Sequence, residues 1–271
     1  MRFFKAVFDF YLISSLHVSF AVWALYKVSH IYYESSENPY LEGLVVTSTI
    51  VGYNLIKYGS IFLINKKLIS KGIIFITFLS FIVGLKCFFH LDLLTQSVFI
   101  LSFMLVTLYL TPNPSLNTNM RNVNGVKIFL VSLTWTLVSY VSLIGQMKSV
   151  ELNQNILMGI QRFVYVFVAT IPFEIRDMKI DSSDLGTLPQ RFGIFKSKII
   201  AITLLIINMF ILYFAVEINF IFKIIELFIY SILFYSIVIT STSKPLNFTR
   251  FWIEGIPIIW IFILLATNQI F

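Results

Sequence analysis

The stretch PFEIRDMKIDSSDLGTLPQRFG, Pro172 to Gly193, decides how the chain is read. Wound as a helix at about 100° per residue, it sets Glu174, Asp177, Asp181 and Asp184 on one face about 80° wide, with Arg176 and Lys179 on the other side. Like charges three and four residues apart destabilise a helix by about 0.2 to 0.5 kcal/mol per pair, and more where lipid or protein excludes water. Four crowded carboxylates therefore ask for a cation, and hard oxygen ligands suit Mg2+ or Ca2+. Mg2+ commonly joins one or two carboxylates to substrate phosphates, which would make this a place of phosphate chemistry. The competing reading is a solvated, charged loop in which Gly186, Pro189 and Gly193 are ordinary turn residues.

Outward from this stretch the chain is apolar. Of 271 residues, 58% are hydrophobic and only 12% charged, with mean hydropathy +0.88, so too few charges exist to coat a water-soluble globule of this size. Nine apolar runs are each long enough to cross about 30 Å of hydrocarbon: 8 to 29, 41 to 63, 71 to 90, 93 to 111, 124 to 145, 155 to 174, 197 to 216, 218 to 241 and 251 to 268. They lack the alternation of barrel strands, so the expectation is an all-α, polytopic bundle of nine transmembrane helices. No linker or charged tail divides it, and residues 1 to 271 read as one domain.

The charges orient the bundle. With the amino terminus inside, 15 of the 20 Lys and Arg residues fall in inner segments, and the outer ends hold only Lys27, Lys86, Lys148, Arg162 and Lys223. This predicts a cytoplasmic amino terminus and an external carboxyl terminus in a plasma membrane of the bacterial inner-membrane kind. The net charge of +7 lies in short clusters between apolar runs, which argues against nucleic acid and for membrane lipids as partners. The single cysteine, Cys87, excludes an intramolecular disulfide framework and a Cys-based zinc site.

With its position after the sixth run, the acidic stretch resembles the second Asp-rich motif of the UbiA superfamily of intramembrane prenyltransferases. That motif runs Asp-x-x-x-Asp, then Thr-Leu-Pro, then Gly, and is matched by Asp177 and Asp181, by Thr187, Leu188 and Pro189, and by Gly193. The interval from Asp181 to Thr187 is one residue shorter than usual. The topology resembles the family over essentially the whole chain, while about 20 residues carry motif identity. The resemblance implies a UbiA-type helical bundle that binds a prenyl diphosphate through Mg2+ and transfers the prenyl group to an aromatic or lipid-soluble acceptor. It assigns Asp177 and Asp181 to metal, with Asp184 or Glu174 assisting, and makes Asn54, Lys57, Arg121 and Arg176 candidates for the diphosphate.

The family's first motif, Asn-Asp-x-x-Asp-x-x-x-Asp, falls on Asn54 to Phe62. Only Asn54 matches, and the aspartate positions are Leu55, Tyr58 and Phe62. Asn54, Lys57 and Tyr58 stand at i, i+3 and i+4 and can face one cleft, where Lys57 could stand in for a lost metal. The alternative has Lys57 snorkelling to the inner interface and Asn54 bonding a neighbouring helix. A third element, Tyr followed eight residues later by Lys, resembles Tyr109, but its eighth position is Asn117 and the nearest bases are Arg121 and Lys127.

Arg162 is expected to reach the outer interface, and His17 and His30 to be packed or hydrogen-bonded. Glu226 and Glu254 suggest a proton path, but no regular chain of ionisable groups connects them. Two alternatives stand beside the enzyme. One is a non-catalytic isoprenoid-binding or interaction descendant, which the missing first-motif aspartates favour. The other is a small membrane transporter with an acidic cytoplasmic loop.

Overall fold

The computed structural model describes every residue except 1, 66–68, 111, 114–117, 120–124, 148–150, 179–185 and 269–271, and leaves out the side chains at 2, 60, 62–65, 112–113, 118–119 and 268 as well. Ten α-helices follow in order: α1 Arg2–Ile13, α2 Leu16–Tyr32, α3 Pro39–Asn65, α4 Lys71–Phe88, α5 Leu93–Leu110, α6 Val126–Ser139, α7 Leu152–Asp177, α8 Leu188–Phe214, α9 Phe220–Ile239 and α10 Ile256–Asn268. A 3-10 helix, Val141–Gln146, extends α6, and a π-helical turn, Phe248–Ile253, precedes α10. Two-residue strands β1 Pro112–Asn113 and β2 Thr118–Asn119 pair antiparallel.

Among the described residues seven helices are long and apolar enough to cross a membrane, and α1 with α2 makes an eighth as a bent pair. The run expected at 41 to 63 is α3, 27 residues long. The chain is an all-helical integral membrane protein, with helices at all nine expected runs. Helices adjacent in sequence mostly pack together, and α10 returns to α2, closing the circuit.

Inside the circuit α2 is the central element, burying 11 of its 17 residues. Val22 and Tyr26 pack toward Leu41, Leu44 and Val45 of α3, while Ala24, Leu25 and Val28 belong to the larger core of α7 to α10. Helices α4 and α5 instead present Phe75, Phe78, Ile100 and Phe103 outward, as lipid-facing helices must. A close approach joins α3 to α4, since a Cβ at Gly84 would stand 3.0 Å from Thr47 Oγ1. Between α4 and α5, Asp92 accepts from the Thr95 backbone N–H (2.9 Å) and hydroxyl (2.7 Å). Partial burial works against its charge, but these bonds outweigh it and hold the carboxyl below the usual carboxylate range.

Three local departures from the expected runs have physical causes. The first run is two helices bent by 58°, broken where Ser15 takes a left-handed backbone at φ 66. Arg162 does not reach an interface; it is 8% exposed and donates to Ser29 Oγ at 2.9 Å, because a guanidinium facing hydrocarbon is stabilised only by turning inward. The seventh run begins early, at Leu188, and bends at Gly193, whose φ 79 and ψ 162 are open to glycine almost alone.

Gly193→Ala should therefore lower stability by about 1 to 3 kcal/mol although nothing lies within 4 Å of its Cβ position. Thermal unfolding in detergent checks this, and a loss under about 0.5 kcal/mol would show that the bend relaxes without strain.

Candidate functional site

The broken first span sets the geometry of one end of the bundle. A helix that stops inside a bundle leaves carbonyls without intrahelical donors, and something must satisfy them. Here α3 does. Tyr58 Oη donates to Ile13 O at 2.8 Å, and Asn54 Nδ2 donates to Ser14 O at 3.1 Å and to Thr77 Oγ1 at 2.8 Å. Ser15 Oγ donates to Asn54 Oδ1 at 2.7 Å and accepts from Lys57 Nζ at 3.0 Å. The i, i+3, i+4 set of Asn54, Lys57 and Tyr58 does share one direction, and in this structure that direction is the helix break. Asn54 is 3% exposed, and each polar atom of its amide is engaged.

The second wall is the end of α7. Arg176 makes a two-toothed pair with its sequence neighbour, Nε to Asp177 Oδ1 at 2.7 Å and Nη2 to Oδ2 at 2.6 Å. Its Nη1 donates to Thr249 Oγ1 of the π-helical turn, and the guanidinium lies 5.3 Å from the Phe173 ring centroid. Both strong charges at this helix end are thus largely spent on each other. Glu174 takes a separate role: 2% exposed, it accepts from the Leu188 N–H at 3.2 Å and so caps the first turn of α8. Gln190 Oε1 accepts from the Thr187 N–H at 3.1 Å, and Pro189 occupies an early helical position that needs no amide donor.

Glu254 joins the two walls. Following the π-helical turn, it is half-buried and interacts electrostatically with Lys57 of α3, with Arg250 and with Arg176 of α7. Beside it, His17 Nε2 lies 3.0 Å from Phe251 O and the imidazole stacks on the Phe251 ring. Sequence reasoning had given Glu254 and Thr249 no part in the site. Their only signal was a carboxylate and a hydroxyl at the start of an otherwise apolar run.

Of the proposed ligands, Asn54, Lys57, Arg176, Asp177 and Glu174 are thus placed: Asn54 and Lys57 at the helix break, Arg176, Asp177 and Glu174 at the end of α7, with Lys57 and Arg176 both interacting electrostatically with Glu254. Asp181, Asp184 and Arg121, like Lys179, lie outside the described residues. Helix α7 is described as far as Asp177, so among the described residues the shared acidic face comprises Glu174 and Asp177. No group of three or more His, Cys, Asp or Glu able to hold a metal occurs among the described residues. With Asp177 held by Arg176 and Glu174 capping α8, those residues in this arrangement do not fit Mg2+.

Two solved structures share the arrangement of helices. A UbiA homolog from Archaeoglobus fulgidus bound to GPP and Mg2+ matches with TM-score 0.65 at 13% identity, covering 94% of this chain and 96% of that one. The UbiA homolog from the same organism bound to DMAPP and Mg2+ matches with TM-score 0.54 at 14% identity, covering 96% and 88%. The chain has the UbiA fold. No protein-family model and no curated protein matches its sequence. In this fold Thr187, Pro189 and Gly193 start and bend the helix after the acidic stretch, while Lys57 and Tyr58 bond the break in the first span.

If Glu174 is a cap, Glu174→Ala should destabilise the protein by about 0.5 to 2 kcal/mol, and Glu174→Gln, which keeps an accepting oxygen, by much less. Thermal unfolding of both variants without added metal tests this, and equal losses would remove the capping role.

Proposed function

We propose that the protein is a UbiA-type intramembrane prenyltransferase, binding the diphosphate of a prenyl diphosphate at the Asp177 end of the bundle. The observation that supports this reading is that Lys57 and Arg176, the latter paired with Asp177, both interact electrostatically with Glu254 in a bundle of UbiA fold. In the reaction the allylic C–O bond breaks and the diphosphate leaves with the electron pair. The prenyl carbon then bonds to a nucleophilic carbon or oxygen of a lipid-soluble acceptor, which releases a proton. Charge grows on the leaving diphosphate, and pre-placed cations stabilise it where water is excluded. Lys57 offers a compact ammonium, and Arg176 a planar fork suited to phosphate oxygens.

The Arg176–Asp177 pair holds this chemistry in reserve. When it parts, it frees a guanidinium for phosphate and a carboxylate for a cation. Asp177, with Asp181 and Asp184 from the adjoining segment, would hold Mg2+ only with that pair open; bound there it would supply further positive charge to the diphosphate. Glu174 stays with α8. Arg121 is proposed as a further phosphate contact, and the excess of basic residues assigned to this end supports a cytoplasmic face for it.

One observation favours a second reading, an isoprenoid-binding protein without turnover. Leu55, Tyr58 and Phe62 stand where the resemblance expects carboxylates, and Tyr58 instead closes the helix break.

The test uses purified protein in nanodiscs with farnesyl and geranylgeranyl diphosphate, with and without Mg2+. Lys57→Gln and Asp181→Asn should each weaken diphosphate binding about tenfold, equivalent to about 1.4 kcal/mol. Pyrophosphate release with an acceptor supports the transferase. Tight binding without release supports the second reading, and unchanged behaviour of both variants would sink the site.

A further inference from the structure

The π-helical turn before α10 sets the direction of two site residues. In it the Glu254 N–H donates to Thr249 O, five residues back, at 3.0 Å, where an α-helix would reach back four. Turns widened in this way are rare and cluster at functional sites. Trp260 fixes α10 itself, its Nε1 donating to Tyr32 Oη at 2.9 Å. Thr249 Oγ1 accepts from Arg176 Nη1, and Arg250 interacts electrostatically with Lys57 and Glu254. Relaxing the turn to an α-helix would remove one residue from it and rotate Thr249 and Arg250 by about 100° relative to α10, away from these partners.

The turn is gripped by His17 of α2, which is 2% exposed. Its Nε2 lies 3.0 Å from Phe251 O, inside the turn, and its ring stacks on the Phe251 ring with centroids 5.0 Å apart and planes 24° apart. A carbonyl can only accept, so Nε2 carries the proton, and in the neutral ring Nδ1 accepts from Tyr11 Oη at 2.9 Å. Phe251 O accepts from the Gly255 N–H as well, at 3.0 Å. Both donors reach this oxygen because residue 255 has no side chain. A Cβ there would stand 2.5 Å from Phe251 O and 3.2 Å from His17 Cε1. The imidazole thus fills a slot that glycine leaves open.

We infer that His17 is a positioning residue for the diphosphate site: by donating to Phe251 O it holds the π-helical turn in the register that gives Thr249 to Arg176 and brings Arg250 to Lys57. His17 acts through the turn, with no phosphate contact of its own. A continuous series of contacts then runs from Tyr11 of α1 through His17 and the turn to Arg176 and Asp177 of α7. The functional consequence rests on the proposed diphosphate site, whereas the grip on the turn stands without it.

Two readouts on the protein in nanodiscs test the two parts. Fluorine NMR of 5-fluorotryptophan-labelled protein follows the turn through Trp252, whose signal is assigned by its loss in Trp252→Phe. Calorimetry with inorganic pyrophosphate and Mg2+ follows the site. His17→Phe keeps a packed ring without the donor, so the Trp252 signal should move and pyrophosphate should bind about tenfold more weakly. His17→Gln, whose amide nitrogen can still donate to Phe251 O, should return the signal and bring affinity to within about threefold of wild type. Tyr11→Phe, which leaves Nδ1 unmet, should move the signal in the same direction by less. A Trp252 signal unmoved in these variants would overturn the inference. So would equal losses in His17→Gln and His17→Phe, as mere ring packing would not predict rescue by the amide. Wild-type protein that binds no pyrophosphate would overturn the diphosphate site, and the positioning role with it, even where Trp252 responds.

Discussion

The side chain of Asn54 holds the architecture at its weakest point. The first span stops at Ser14 and restarts at Ser15 in the left-handed region, a geometry that leaves polar backbone stranded inside an apolar bundle. One amide reaches the Ser14 carbonyl, the Ser15 hydroxyl and the Thr77 hydroxyl together. It thereby fastens α2, α3 and α4 about the break. Lys57 and Tyr58, one turn further along, complete the same fastening. Bending the first span lets α2 run through the middle of the bundle while α1 turns away, and the orientation of His17 toward Phe251 follows from that course.

The charges at this end form a linked set rather than a list of independent ligands. Asp177 neutralises Arg176, Arg176 also holds Thr249, and Glu254 interacts electrostatically with Arg176, Arg250 and Lys57. In low dielectric a lone charge of either sign would be expensive, so closing on itself is the stable resting arrangement. A phosphorylated lipid approaching this end meets cations already gathered but still occupied by carboxylates. Binding there is an exchange of partners.

Much of the fold was legible because lipid imposes one rule on every span: twenty or so apolar residues and a helical backbone. The nine runs and the all-helical class follow from that rule alone. The break at Ser14 was not legible, since its stabilising partners lie about forty residues away on another helix. The cap made by Glu174 was not legible for a related reason. Helical periodicity put it with Asp177 on an acidic face, but the donor it meets is the amide of Leu188, across a chain reversal that periodicity does not describe. Arg162 looked like an outer anchor from its place near a span end, whereas its companions Ser29 and Trp260 come from opposite ends of the chain.

The return of α10 to α2 carries a consequence for how the protein is made. The translocon releases the first spans long before the ribosome has synthesised the last, so the buried face of α2 waits beside lipid or a chaperone for most of synthesis. Tyr32 can meet Trp260, 228 positions later, only after the ninth run has been inserted. Membrane insertion can proceed span by span, but the interior around α2 can close only once α10 is in place.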